Sequence, residues 1–181
     1  MRSTFRRTAA AALLFLVACD DPTRPRSQTE GTFEAQITGD INVSMRGFSV
    51  DGGIIGFSHI VMGRDPMGWK QRPDTLIYIT SRTFLQRGTH EIRPFEAWDN
   101  VPLEQPVVIA YAVVSAPGGR PRYISLDGTV TITKVTRRGR EGTFSFRAPL
   151  QYSSDPSRSI TVEGRFETLY EGFWPPRGWE M

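Results

Sequence analysis

Gly31-Thr32-Phe33-Glu34-Ala35-Gln36-Ile37-Thr38 decides the fold class, because Phe33, Ala35 and Ile37 alternate with Glu34, Gln36 and Thr38. A period of two sends apolar side chains to one face of an extended chain and polar ones to the other, the pattern of a strand with one buried face. The same alternation recurs further along the chain. Ile41, Val43 and Met45 oppose Asn42, Ser44 and Arg46; Val130 and Ile132 oppose Thr129, Thr131 and Thr133; Phe144 and Phe146 flank Ser145; Ile160, Val162 and Phe166 oppose Thr161, Glu163 and Arg165. Two middle segments, Leu76 to Ile79 and Val107 to Val114, are continuously apolar. They are expected to be covered on both faces or to lie centrally.

No helical period lasts beyond two turns, and turn-forming residues separate the runs. Asp51-Gly52-Gly53, Ala116-Pro117-Gly118-Gly119 and Arg138-Gly139-Arg140 are expected hairpin turns. About nine or ten strands at this spacing predict an all-β chain with very little helix. The expected architecture is an antiparallel β-sandwich forming a single domain over residues 31–170, with a closed or partly open β-barrel as the alternative. Gly142-Thr143-Phe144 and Gly164-Arg165-Phe166 share a Gly-x-Phe pattern that is too short to establish a repeat.

The chain has 181 residues, 39% hydrophobic and 11% aromatic, which excludes a disordered chain. It holds no apolar run of about 18 residues, so the sequence predicts no spanning helix. The net charge of +3 invites a polyanionic partner, but Arg2, Arg6 and Arg7 fall in the first 18 residues, where no acid occurs. Without them 19 basic residues face 19 acidic ones, and a neutral body offers no electrostatic case for nucleic acid.

Those arginines precede a ten-residue apolar stretch, Ala9 to Ala18, followed by the only Cys of the chain, Cys19. A positive n-region and a short h-region are the parts of a secretory signal, expected here over residues 1–18. Leu16-Val17-Ala18-Cys19 resembles the lipobox of bacterial lipoproteins. The resemblance implies that the Cys19 thiol carries a covalent diacylglycerol and, after cleavage behind small Ala18, an N-acyl lipid. Such chains would anchor the protein to the membrane, since each buried methylene contributes about 0.8 kcal/mol and one chain alone is marginal. An exported chain without a second Cys has no disulfide, so its body must hold through its own core. Asp20 resembles the inner-membrane retention signal of enteric bacteria, a rule that varies among bacterial groups, so inner and outer membrane both stand as expectations. Residues 20–30 hold two prolines, alternating charge and no large apolar side chain, and are expected to be an extended tether. Gly31 to Asp40, Arg46-Gly47, Gly142 to Phe146 and Ile160 to Phe166 together resemble uncharacterised β-rich lipoproteins of the bacterial envelope, which implies fold and location and no activity.

Candidate chemistry is sparse. His59 and His90 are too few for a zinc site, so no metal is expected, and His59 shares parity with Ile55, Phe57 and Val61, a parity that suggests the core. Gly56-Phe57-Ser58-His59-Ile60 has Ile60 where a nucleophile elbow needs a second Gly, and no helix follows. Gly52-Gly53 and Gly56 lack the Lys-Ser/Thr of a phosphate loop. Lys134, Arg137, Arg138 and Arg140 form one basic cluster beside an expected hairpin tip, read as a solvated turn. Phe173, Trp174 and Trp179, interleaved with proline in a tail over residues 171–181, are expected to cap the domain or to meet a partner. The expectation for function is a membrane-anchored envelope lipoprotein serving as a non-catalytic binding or structural module, with no cofactor beyond the Cys19 lipid and an envelope protein or glycan as partner. The alternatives are an envelope hydrolase acting on glycans through an acid pair, and a carrier with a ligand cavity between the sheets.

Overall fold

The computed structural model describes residues 31–54, 57–63, 75–102, 105–115, 119–155 and 157–170. Eleven strands and one short helix follow in the order β1 (Gly31–Gly39), β2 (Val43–Ile54), β3 (Phe57–Gly63), β4 (Leu76–Ser81), β5 (Gly88–Ile92), α1 (Ala97–Asn100), β6 (Val108–Val113), β7 (Arg122–Ile124), β8 (Asp127–Val135), β9 (Arg140–Pro149), β10 (Ser159–Glu167) and β11 (Leu169–Tyr170). The chain is all-β, as its alternation requires. The architecture is the closed barrel and not the sandwich: nine strands run β1-β10-β9-β8-β5-β6-β4-β3-β2, and β2 returns to pair with β1. β7 lies outside this ring against β6, and β11 pairs with β2.

The length of β2 explains the closure. Its first part, Val43 to Ser49, pairs with β1, and its last part, Phe48 to Ile54, pairs with β3. One strand thereby belongs to both sides of the molecule, and the two sheets of a sandwich become one wall. Where β1 ends at Gly31, β11 takes its place beside Val50 and Asp51. Asp51-Gly52-Gly53 is therefore strand and not the expected turn. Asp51 points inward to a buried guanidinium, and Gly52 and Gly53 pair with His59 and Ser58 of β3.

Every pair in the ring is antiparallel except β5–β6, a parallel seam of one residue pair, Ile92 with Val108. The buried Ser125 side chain stitches it. Its Oγ accepts the Ala110 N–H at 3.1 Å and donates to the Arg93 carbonyl at 2.8 Å.

Side chains fill the barrel, among them Phe33, Ile37, Ile60, Met62, Ile77, Ile79, Val130, Ile132, Phe146, Ile160 and Val162. The two Gly-x-Phe strings face one another across β9 and β10, with Gly164 opposite Phe144 and Gly142 opposite Phe166. A Cβ on Gly164 would lie 2.7 Å from the Phe144 ring, and one on Gly142 2.8 Å from the Phe166 ring. Each glycine is the space its neighbour's ring occupies, and the rings stack with centroids 6.2 Å apart.

The outside of the barrel is divided. Around β1, β10, β9 and β8 it carries Glu34, Gln36, Glu163, Arg165, Ser145, Arg147 and Thr129, half or fully exposed. Around β2, β3, β4 and β6 one continuous register row reads Leu169, Val50, Val61, Tyr78, Tyr111, Ile124. Leu76 to Ile79 and Val107 to Val114 lack alternation because they are covered on both faces: Ile77, Ile79, Ala110 and Ala112 fill the barrel, Leu76 and Ile109 are buried on the outer side, and Tyr78, Tyr111 and Val113 are half-buried there.

Gly164→Val should cost about 1–3 kcal/mol by overpacking, and Phe144→Ala about 3–5 kcal/mol by leaving a cavity, both read from urea midpoints. Ser125→Ala should cost about 1–3 kcal/mol by orphaning the buried Ala110 N–H, with faster hydrogen exchange along the β5–β6 seam as its local signature.

Candidate functional site

The most concentrated polar chemistry sits inside one end of the barrel. Arg140 opens β9 on the same parity as Gly142, Phe144 and Phe146, so its side chain enters the interior; its residue exposure is 1% and that of Asp51 is 0%. Arg140 Nε and Nη2 donate to the two oxygens of Asp51 in a bidentate pair. Nη2 also donates to Ser58 Oγ at 2.6 Å and Nη1 to the Leu85 carbonyl at 3.3 Å, while the Phe84 ring lies 4.5 Å from the guanidinium carbon. Thr168 Oγ1 accepts the Arg140 N–H at 3.1 Å and lies 3.3 Å from Asp51 Oδ2.

Burial pushes the Asp51 carboxyl above its ordinary range, and the Arg140 charge opposes that push. Tyr170 packs against Phe84 at 6.0 Å, with its hydroxyl buried and unpartnered among the described residues. Burial raises Tyr170 to about 12.

This arrangement fixes a charge and does not deploy it. Both Asp51 oxygens are engaged by a cation, and among the described residues no second acid of the kind glycoside hydrolysis uses acts on this carboxylate. Ser58 accepts from Arg140, and its chain neighbour His59 lies on the opposite face of β3, so the two cannot form a nucleophile–base pair. His59 shares the outer face with Phe57 and Val61, which corrects the core parity read from sequence: Ser58, Ile60 and Met62 are the inward residues. Its Nδ1 is hydrogen-bonded to Thr80 Oγ1 at 3.1 Å, and burial lowers its pKa. His90 reaches the Gln86 carbonyl through Nε2 at 2.7 Å.

The basic cluster read from sequence divides here. Arg140 is interior, and Lys134 pairs with Glu141 at 2.5 Å. Arg137 and Arg138 stay exposed and border an open cleft of about 450 Å³, with Glu141, Glu167 and Thr168 on its other sides. Four bases, Lys134, Arg137, Arg138 and Arg140, and two acids, Glu141 and Glu167, line that cleft.

At the other end of the ring Tyr123 is fully buried and donates to Asp40 Oδ2 at 2.7 Å, with Arg158 on the same carboxylate at 3.1 Å. These hydrogen bonds hold the Asp40 carboxyl below its ordinary value. Tyr123 is raised to about 12, first by burial and then by Asp40.

On the apolar outer wall Tyr78 and Tyr111 stack with centroids 4.4 Å apart and planes 15° apart. The Arg122 guanidinium lies 4.4 Å from the Tyr111 centroid, and its buried Nε has no hydrogen-bond partner among the described residues. Burial raises Tyr111 to about 12 and also raises Tyr78. Sequence reading missed both this ladder and the Arg140 pair. Arg140 could have been found by extending the Phe144 and Phe146 parity backwards; Tyr78 and Tyr111 meet only through strand register. The residues singled out earlier for lipidation, cleavage and partner binding, namely Leu16, Val17, Ala18, Cys19, Phe173, Trp174 and Trp179, lie outside the described residues.

No protein-family model, no curated protein and no solved structure matches the chain.

Asp51→Ala should cost about 3–5 kcal/mol by stranding a buried guanidinium, while Asp51→Leu with Arg140→Met should recover most of it; strict additivity of the two single changes would rule out the coupling. Tyr111, Tyr123 and Tyr170 predict an alkaline transition. Their folded values exceed that of a free phenol at about 10, so their stabilisation is full below pH ~10 and is lost as pH rises from there through about 12. Absorbance at the phenolate band should show four of the five tyrosines, Tyr78 included, ionising late, with Tyr111, Tyr123 and Tyr170 doing so together with unfolding.

Proposed function

We propose that this chain is an exported lipoprotein, held at the envelope membrane by diacylglycerol and N-acyl chains on Cys19, whose barrel is a non-catalytic binding or structural module for an envelope protein or glycan. The observation that carries the second half is the filled interior: side chains occupy the barrel, and the buried Arg140–Asp51 ion pair is saturated by Ser58, Thr168 and a backbone carbonyl. A small barrel packed in this way offers its outer surface to partners. The first half rests on Leu16-Val17-Ala18-Cys19 and the Arg-led leader. A single site for lipid addition and a tether of charged and proline residues suit a domain held near a surface and free to turn on it.

The test is fractionation of cells expressing the whole chain or its Cys19→Ala variant, followed by in-cell crosslinking and capture from detergent extract. The wild-type chain is expected in the membrane fraction with acyl mass on Cys19, and the variant without either. Partners specific to the wild-type chain support the binding role. Equal membrane recovery of Cys19→Ala would overturn the anchor.

A further inference from the structure

The outer wall around Tyr78 and Tyr111 combines three properties. Its apolar register row runs from Val61 through Tyr78 and Tyr111 to Ile124, all half-buried, with Val50 buried at the β2 end of the row. It carries cations: among the described residues the charged groups acting on the Tyr78 phenol are Arg120 and Arg122, and on Tyr111 it is Arg122. Among the described residues the Arg122 Nε, a buried donor, has no hydrogen-bond partner, while the guanidinium lies over the Tyr111 ring. On the opposite wall Arg165 pairs with Glu34 at 2.7 Å and Arg147 with Asp127 at 2.7 Å.

We propose that this wall lies against the anionic lipid surface to which the chain is anchored, with Tyr78 and Tyr111 at the headgroup level and Arg122 on lipid phosphate. The proposal rests on the Cys19 anchor and deepens it by assigning the face turned to the bilayer. Tyrosine pairs an apolar ring with a polar tip and suits a membrane interface, and an arginine stem covers apolar surface while its head reaches phosphate.

The root of the tether supports this orientation. Gly31 pairs with Ser49, the chain neighbour of Val50 in the apolar row, so the chain leaves the barrel at the height of the wall. From β2 to β4 is two strand spacings, about 10 Å, and the twelve residues 19–30 reach about 40 Å at most, so anchor and wall meet one surface without strain. A tether of that length also keeps the wall at high effective concentration beside the bilayer. On the flank of β7 the turn after β9 is held by the Gln151 N–H donating to the Arg122 carbonyl. It exposes Tyr152 to 96%, at φ 64°, a left-handed conformation costly for an aromatic residue.

Arginine labelling distinguishes the faces. The full lipidated chain is reconstituted on vesicles of phosphatidylcholine alone or in an equal mixture with phosphatidylglycerol. It is then treated with phenylglyoxal and mapped by mass spectrometry, with Arg165 as the reference on the opposite wall. Arg122 labelling is expected to slow about fivefold on the anionic vesicles and to recover in high salt, with Arg165 unchanged. Equal slowing at both arginines, or none at Arg122 in a chain that floats with the vesicles, would overturn the docking while leaving the anchor intact. Equal protection of Arg122 on phosphatidylcholine by millimolar inorganic phosphate would make it a site for free phosphate and overturn the membrane assignment. A chain that floats with neither vesicle would fail the anchor, and this proposal with it.

Discussion

Arg140 is the point on which one end of the barrel depends. Its guanidinium reaches Asp51 on β2, Ser58 on β3, the Leu85 carbonyl and the Phe84 ring between β4 and β5, and its backbone is tied to Thr168 between β10 and β11. These are the elements that meet where β1 has ended and β11 has replaced it. A buried charge has no water to turn to, so any displacement of these elements leaves a donor or acceptor unmatched at a cost of several kcal/mol. Apolar packing would tolerate a one-residue slip of β2 against β9 far better than this geometry does. The pair therefore sets register, and the long strand β2 converts that register into closure.

Closure in turn divides the molecule into two walls. Inside, Gly142 and Gly164 give up their side-chain volume to Phe166 and Phe144, and the ring pair leaves the interior full. Outside, β1, β8, β9 and β10 present ion pairs and hydroxyls, whereas β2, β3, β4 and β6 present Val61, Tyr78 and Tyr111. A closed barrel has no sheet edge to protect except where strands lie outside the ring, and here those are β7 and β11, both short. β7 is also the strand that carries Arg122 onto the Tyr111 ring, so the shielding strand and the cationic edge of the apolar wall are the same three residues, Arg122 to Ile124.

Alternation within single segments was enough to establish the all-β class, because inward and outward faces are local properties of an extended chain. Phe33, Ala35 and Ile37, or Val130 and Ile132, declare their faces with no knowledge of their neighbours. The hairpin at Arg138-Gly139 is local for the same reason: Thr136 Oγ1 and the backbone around it close the turn within four residues. Sandwich and barrel share those signals. The choice between them was made by β1, which pairs with β2 on one side and on the other with β10, a strand from the far end of the described chain. Asp51-Gly52-Gly53 carried the strongest local turn signal in β2, and it was overridden by pairing with β3.

Local chemistry therefore determined the strands and most of the inward residues. Tertiary structure decided closure, the burial of Arg140, the separation of Ser58 from His59, and the Tyr78–Tyr111–Arg122 ladder. The physical reason is common to all four. Each depends on which residues of different strands lie opposite one another, and register is fixed by long-range burial and charge pairing, to which no single segment of the chain has access.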